Sequence, residues 1–392
     1  MNYQIIYIYL LLSLVKKLLN NFKDIGSYFL TFVNKNVMAD AAEFRTYTRD
    51  KFPDMLRGIA VILMIQVHIT EVFANDQFRE GFWGQLSLFF GGLPAAPVFM
   101  FLMGWFAIVR SSNIKLFFRG VLVFLVGFLL NIGLNLALII SVLVGHQKAD
   151  LWPYLFGVDI FSLAGLSLII ISGLRLLAGR FVRFTSSAEF LKWTLTLFPF
   201  LIVSVGMLLP TTGIQESNFL VYFKAYLWRD SQWWSYFPLF PWLAWPLFGG
   251  ALRLWAGNSK IPDLKGSIVS IAGIGAIIGC CYGWSVSTDL TSYYRFNLVW
   301  FVWAITAMIV WFWLWRRMAN VEWLRTGLSS IGAKVSSLYV IQWIIIGNLG
   351  TFLYHEQPDR SIPFWMAFTL FLTLFVRSLP DRFSKWREKD WF

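Results

Sequence analysis

The sequence predicts an all-α protein: a polytopic membrane helical bundle of about ten transmembrane helices with both termini in the cytoplasm. Of the 392 residues, 58% are hydrophobic and only 14% are charged, whereas charged residues make up about 25% of an ordinary soluble domain. A membrane helix needs about 20 consecutive, mostly apolar residues, and the chain offers many such stretches. The composition therefore excludes a soluble globular domain and a disordered chain.

Ten apolar stretches, bounded by charged residues or by Gly and Pro, are candidate spans. In chain order they cover residues 56–74, 86–109, 121–144, 154–174, 193–210, 237–256, 267–286, 297–315, 335–354 and 362–379. Residues 1–37 are interpreted as an interfacial helix or as an artefact of the gene start, because their apolar run is too short to span a bilayer. Residues 38–392 are predicted to form a single transmembrane domain.

The positions of the basic residues predict the orientation. Of the 33 Lys and Arg residues, 27 lie in the two terminal segments and in every second loop. The alternate loops contain Arg79, Lys148, Lys224, Arg229, Arg295 and Arg360. Because cytoplasmic loops are enriched in Lys and Arg, we expect both termini in the cytoplasm. The net charge of +12 is interpreted as a topology signal and a contact with anionic lipid headgroups, so membrane lipids are expected partners and nucleic acid is not.

Ionisable residues follow one face of the first predicted span. Arg57 and His68 are 11 residues apart, so on a helix they lie within about 20° of the same face, with His68 about 16 Å deeper. Glu71 continues this stripe near the outer end. An ionisable group inside the bilayer is costly and is usually functional. The alternatives are helix packing for His68, a headgroup anchor for Arg57 and simple solvation for Glu71.

Four stretches, taken together, resemble motifs of the transmembrane acyltransferase superfamily. The first is the Arg-x10-His run from Arg57 to His68. The others are AAPVFMFLMG at 95–104, FPLFPWLAWPLFGG at 237–250 and IGAKVSSLYVIQ at 331–342. The second and third favour the bacterial relatives of heparan-alpha-glucosaminide N-acetyltransferase over the acyltransferase-3 proteins. In the fourth, Gln342 stands where relatives often carry His.

The resemblance implies transfer of an acetyl or other short acyl group from cytoplasmic acyl-CoA to a hydroxyl or amine of a glycan or lipid-linked acceptor. It also implies a bacterial cytoplasmic (inner) membrane, with acyl-CoA as donor substrate and no permanently bound cofactor. Arg57, a planar and permanent cation, suits the donor phosphates, and we assign Asp54 and Arg119 to the same donor site. His68 is expected to deprotonate the acceptor or to carry the acyl group transiently, with Glu71 tuning it.

Four further residues are assigned to the site: Asp159 from its predicted depth, Asn131 as a polar residue within a span, and Trp242 and Gln342 from the motifs that resemble the superfamily. Asp159 is expected to orient the His68 imidazole, and a helix cap is the equal alternative. Trp242, Asn131 and Gln342 are assigned to substrate binding, with an interhelical hydrogen bond as the alternative for Asn131. No metal site is predicted, since the two remaining histidines lie in loops without Cys or paired His.

Two functions of other classes stay open. A small-solute or proton transporter would use the same buried polar residues as a path. It would also be expected to show an inverted repeat, and the sequence has none that we recognise. A non-catalytic subunit of a larger membrane complex would keep the fold and cover its many aromatic residues with partner proteins.

Overall fold

The computed structural model describes residues 50–109, 112–180, 187–209, 219–229, 232–257 and 260–389, with side chains up to residue 379. The helices are α1 (Phe52–Val72), α2 (Asp76–Glu80), α3 (Phe82–Gly92), α4 (Ala96–Ala107), α5 (Asn113–Leu134), α6 (Leu136–Leu143), α7 (Trp152–Leu155), α8 (Ile160–Arg180), α9 (Ser187–Leu208), α10 (Leu220–Leu227), α11 (Leu239–Trp242), α12 (Ala244–Ala256), α13 (Gly266–Ile278), α14 (Cys280–Thr288), α15 (Leu290–Tyr294), α16 (Leu298–Met318), α17 (Glu322–Gly332), α18 (Val335–Leu353) and α19 (Ile362–Lys389). The predicted extension 1–37 lies outside the described residues.

Eight helical segments in this part of the chain are long and apolar enough to cross a membrane. They are Phe52–Val72, Phe82–Ala107, Asn113–Leu134, Ile160–Arg180, Ala188–Leu208, Leu298–Met318, Val335–Leu353 and Asp359–Leu379. A ninth results if α13 and α14, which meet at a bend of 64°, count as one broken span. The all-helical membrane architecture is therefore confirmed, and the orientation of the termini stays a prediction.

Among the described residues the expected ten spans are not all found, because the stretch 237–256 is not one continuous helix. It folds as α11 and α12, and the 13 residues of α12 extend only about 20 Å. Phe240 has non-helical backbone angles, and the neighbouring Pro241 has no backbone N–H to donate. Trp242 and Trp245 are fully buried. The hydrophobicity of this stretch therefore fills the protein core instead of facing lipid.

Helix α1 is fixed at its N-terminal end by a close contact with α17. A Cβ atom on Gly58 would overlap the carbonyl oxygen of Leu328, and one on Gly332 would overlap the carbonyl oxygen of Asp54. Glycine is needed at both positions because the two backbones approach too closely for any side chain. This contact leaves little freedom to the first turns of α1.

The C-terminal end of α1 is held by the loop that follows α18. The backbone N–H of His355 donates to the carbonyl of Val72 (3.1 Å), and that of Gln357 donates to the carbonyl of Phe73 (2.9 Å). The His355 side chain lies with Nε2 at 2.9 Å from the carbonyl oxygen of Glu71. These contacts anchor the last turn of α1, which carries two of the predicted site residues.

Candidate active site

A small cavity lies at the C-terminal end of α1, between α3, α15 and α18. Its volume is about 30 Å³, which is room for about two water molecules. Its polar lining comes from His68, Glu71, Ser287, Tyr293, Tyr294 and Tyr339. The remaining walls are mostly apolar or glycine, and they include Met64 on the same stripe of α1. The predicted stripe on the first span therefore faces the protein interior at this end.

The imidazole of His68 is positioned by two neighbours. Its Nδ1 lies 3.2 Å from Glu71 Oε2, and both side chains are largely buried, with 12% and 16% of their surfaces exposed. The ring packs at 4.2 Å, centroid to centroid, against Trp343. A carboxylate can only accept a hydrogen bond, so this contact assigns the imidazole proton to Nδ1. In the neutral imidazole Nε2 then keeps its lone pair, and no hydrogen-bond partner for Nε2 is present among the described residues.

Two neighbouring tyrosines form the wall of the cavity opposite α1. Tyr293 donates its hydroxyl hydrogen to the carbonyl oxygen of Gly92 (2.7 Å). The carbonyl oxygen of Tyr294 accepts from the indole N–H of Trp242 (3.0 Å). Burial raises the pKa of Tyr293 and of Tyr294 well above the usual value, and the negative charge of Glu71 acts in the same direction. Both hydroxyls therefore stay protonated and can serve as hydrogen-bond donors.

The predicted donor-site residues lie at the other end of α1, and two of them contact each other. Arg57 Nη1 donates to Asp54 Oδ1 at 3.0 Å, and the guanidinium lies 4.9 Å from the ring centre of Phe106. Asp54 is buried, whereas the Arg57 side chain is 20% exposed. Arg119 is exposed on α5. The structure thus joins Arg57 to Asp54, and the role of all three residues in donor binding stays a prediction.

Asp159 has the geometry of a helix cap at the start of α8. Its Oδ1 accepts from the backbone N–H of Ser162 (2.8 Å) and from the Ser162 hydroxyl (2.9 Å). Among the described residues, Oδ2 is buried without a hydrogen-bond partner. The His68 contact that the sequence analysis expects of Asp159 is made by Glu71, which lies one turn along the same helix.

The three residues predicted to bind substrate all lie in the packed interior. The Asn131 amide donates to the carbonyls of Leu155 (3.2 Å) and Gly157 (2.7 Å), so it ties α5 to the segment before α8. Trp242 is fully buried behind Tyr294. Gln342 is also fully buried, and neither of its polar side-chain atoms has a partner within the described part of the chain. None of the three lines the cavity.

Tyr293 and Tyr294 were not predicted as site residues, although the sequence contains a signal for α15, the helix that carries them. Asp289 caps α15 by accepting from the backbone N–H groups of Thr291 (3.4 Å) and Ser292 (3.0 Å). Asp is one of the residues preferred at the N-cap position of a helix. The sequence alone does not show that this short helix turns inward, because aromatic residues between two spans usually indicate an interfacial belt.

The family comparison covers almost all of this architecture. The family model described as an acyltransferase domain matches residues 50–379. The chain belongs to the acyltransferase-3 family. No curated protein and no solved structure matches it. The matched range includes α1, every residue that lines the cavity and the Arg57–Asp54 pair.

Membership of the acyltransferase-3 family, together with the apolar helices, supports a polytopic membrane acyltransferase. The superfamily resemblance expected from Arg57 and His68 is confirmed at this level. The closer resemblance to bacterial relatives of heparan-alpha-glucosaminide N-acetyltransferase stays a prediction. In the part of the chain that the structure describes, no group of three or more His, Cys, Asp or Glu residues could hold a metal ion.

Proposed function

We propose that this acyltransferase moves an acetyl or other short acyl group from cytoplasmic acyl-CoA to a hydroxyl or amine of a glycan or lipid-linked acceptor. The observation that carries the proposal is the His68–Glu71 pair in the cavity of a chain that belongs to the acyltransferase-3 family. A neutral imidazole with a free Nε2 is the arrangement that general-base catalysis requires. The bilayer is proposed to be a bacterial cytoplasmic (inner) membrane, as the resemblance to bacterial relatives implies.

The reaction at His68 follows from its tautomer. Nε2 accepts the proton of the acceptor hydroxyl or amine while the acceptor oxygen or nitrogen forms a bond to the thioester carbonyl carbon. The carbon–sulfur bond then breaks, and the coenzyme A sulfur leaves with the proton that the imidazole returns. Glu71 holds Nδ1–H and stabilises the imidazolium that forms between these steps. In the other route, Nε2 attacks the thioester carbonyl carbon, the carbon–sulfur bond breaks and coenzyme A leaves as the thiolate. The acceptor oxygen or nitrogen then attacks the acyl carbon, the bond to Nε2 breaks, and the acceptor proton passes to the coenzyme A thiolate.

The donor is proposed to bind at the Arg57 end of α1. The 11-residue separation on one helix places Arg57 about 16 Å from His68 along the axis. Acyl-CoA has its phosphates at one end of a long arm and its thioester at the other, so a cation and a base separated in this way can hold both ends. Arg57 Nη1 can exchange Asp54 Oδ1 for a phosphate oxygen, to which a planar guanidinium donates in the same geometry.

The test is transfer of radiolabelled acetyl from acetyl-CoA in proteoliposomes that contain membrane glycolipids extracted from the organism that produces the protein. His68→Ala is expected to lower kcat by about 10²- to 10⁴-fold. The matched control is His146→Ala, because His146 is an exposed loop histidine. Equal rates for His68→Ala and the wild type would exclude the catalytic assignment. Trapping of an acyl-protein that disappears in His68→Ala would establish the second route.

A further inference from the structure

Arg229 lies directly beside the cavity but outside the proposed reaction. Its guanidinium carbon is 5.3 Å from the ring centre of Tyr294, and Tyr294 lines the same cavity as His68 and Glu71. The side chain is half-buried. The cation therefore contacts a residue that lines the cavity of the proposed reaction centre.

The backbone on both sides of Arg229 is held in place by neighbouring segments. Trp228 forms a parallel bridge with Phe240, and Ser235 forms one with Val158. The Arg229 guanidinium donates to the carbonyl oxygen of Ser235 at 3.4 Å, which is a long hydrogen bond. A guanidinium has five N–H donors, and this is the only hydrogen bond of Arg229 within the described residues. Most of its donor capacity is therefore directed at something other than these residues.

Burial destabilises the charged form of Arg229 more than the neighbouring groups stabilise it. Burial lowers the pKa of Arg229, and the nearby Tyr294 and Tyr236 oppose that effect. The charge persists because arginine stays protonated in proteins. Asp289 acts on it only from a distance, since both Asp289 oxygens cap α15. No carboxylate of the described residues lies within ion-pair distance of Arg229.

We infer that Arg229 is an anion-binding subsite for the acceptor, which therefore carries a phosphate or carboxylate group. The inference rests on the proposed function, because it assigns a chemical class to the acceptor of that reaction. A partly desolvated cation that is poorly paired gains most from a bound anion, and a planar guanidinium binds two oxygens of a phosphate or carboxylate at once. The cation–π contact with Tyr294 holds the guanidinium beside a wall of the cavity. The anion could come from the phosphate of a lipid anchor or from an acidic sugar.

Binding by calorimetry in neutral detergent tests the subsite without acyl transfer. One arm uses geranylgeranyl phosphate against geranylgeraniol, and the other uses glucuronate against glucose. Arg229→Gln is compared with the wild type. The matched control is Lys224→Gln, since Lys224 lies in the same region and also stacks on an indole ring, at 5.2 Å from Trp228. A thermal melt of each variant confirms that it folds.

The wild type is expected to bind one charged probe at least tenfold more tightly than its neutral counterpart, and more weakly as salt is added. The arm that shows the preference identifies the source of the anion. Arg229→Gln should lose this preference, and Lys224→Gln should keep it. No preference in the wild type, or an equal loss in both variants, would overturn the subsite. His68→Ala should still bind the charged probe, so failure of the catalytic proposal remains distinguishable from failure of this one.

Discussion

The two ends of α1 differ in how far they are prepared for a substrate. At the C-terminal end, His68 lies between Glu71 and Trp343 and faces a cavity, with Nε2 unbonded in the described part of the protein. At the N-terminal end, Arg57 is already bonded to Asp54 and covers the ring of Phe106. The His68 imidazole is thus held in place before a substrate binds, whereas the Arg57 guanidinium, the proposed donor-binding group, is bonded to Asp54.

This difference has a physical reason. A base must be held in one tautomer and orientation before its substrate arrives, because each misplacement lowers the rate. An unpaired cation is costly in an apolar environment, and Asp54 pairs with Arg57. In the proposed reaction a donor phosphate would take the place of Asp54. The comparison predicts that changes at the His68 end act on kcat and that changes at the Arg57 end act on KM or on stability.

After the loss of His68 itself, the largest effect is expected for Glu71→Gln. A glutamine amide can donate to Nδ1, which moves the imidazole proton to Nε2 and removes the base, so kcat should fall by roughly 100-fold or more. Glu80→Gln is the matched control, because Glu80 is exposed near the same end. Steady-state acetyl transfer measures both. A rate for Glu71→Gln within a few-fold of the wild type would mean that Asp159 or another group orients His68.

The position of His68 could be predicted from the sequence, but which of the two candidate acids contacts it could not. Helical periodicity alone puts Arg57, His68 and Glu71 on one face, and the structure keeps them on one helix. Asp159 and Glu71 are both acids at a suitable predicted depth. The choice between them depends on side-chain direction, which hydropathy does not encode. The Ser162 backbone N–H and hydroxyl take up one oxygen of Asp159, while Glu71 faces the imidazole.

The same limit explains why 237–256 was predicted to be a span and why Tyr293 and Tyr294 were not predicted to line the site. An apolar run such as 237–256 satisfies a bilayer and a protein core equally well, so composition cannot separate them. Only packing shows that Trp242 supports Tyr294 from inside the protein. Tyr294 likewise follows a predicted span in an apparent loop, and the cap formed by Asp289 turns it inward. Features that depend on one helix were predictable, and features that depend on contacts between helices were not.

A smaller effect, on donor affinity, is expected for Arg57→Gln. Loss of a charge-assisted hydrogen bond to phosphate corresponds to a roughly ten- to hundredfold rise in KM for acyl-CoA, with kcat changed far less than in Glu71→Gln. Arg180→Gln is the control, since Arg180 is an exposed basic residue at the end of α8. Kinetics at varied donor concentration separate the two constants. If Arg57→Gln lowers kcat alone, the donor phosphates bind elsewhere.

Alanine substitutions at two glycines of α17 test how rigidly this helix packs against the Arg57 end of α1. Gly332→Ala would place a methyl group against the carbonyl oxygen of Asp54, and because the neighbour is backbone it should cost about 1–3 kcal/mol of stability. In Gly327→Ala the new methyl group meets nothing within 4 Å, so a gain of up to about 1 kcal/mol is expected from helix propensity. Thermal unfolding in detergent measures both. Equal melting temperatures would show that α17 can move away from α1.

The smallest effect concerns the loop that anchors the His68 end. Burial, and then the charge of Arg79, lower the pKa of His355. The unfolded chain therefore binds a proton at His355 at a higher pH than the folded protein does, so stability falls as the pH drops below about 6.5 towards the lowered value. The melting temperature of the wild type should fall by one or two degrees more than that of His355→Gln when the pH is lowered from about 7.5 to 5.5. The exposed His146→Gln should follow the wild type, and identical pH profiles for all three would show that protonation of His355 leaves the end of α1 unchanged.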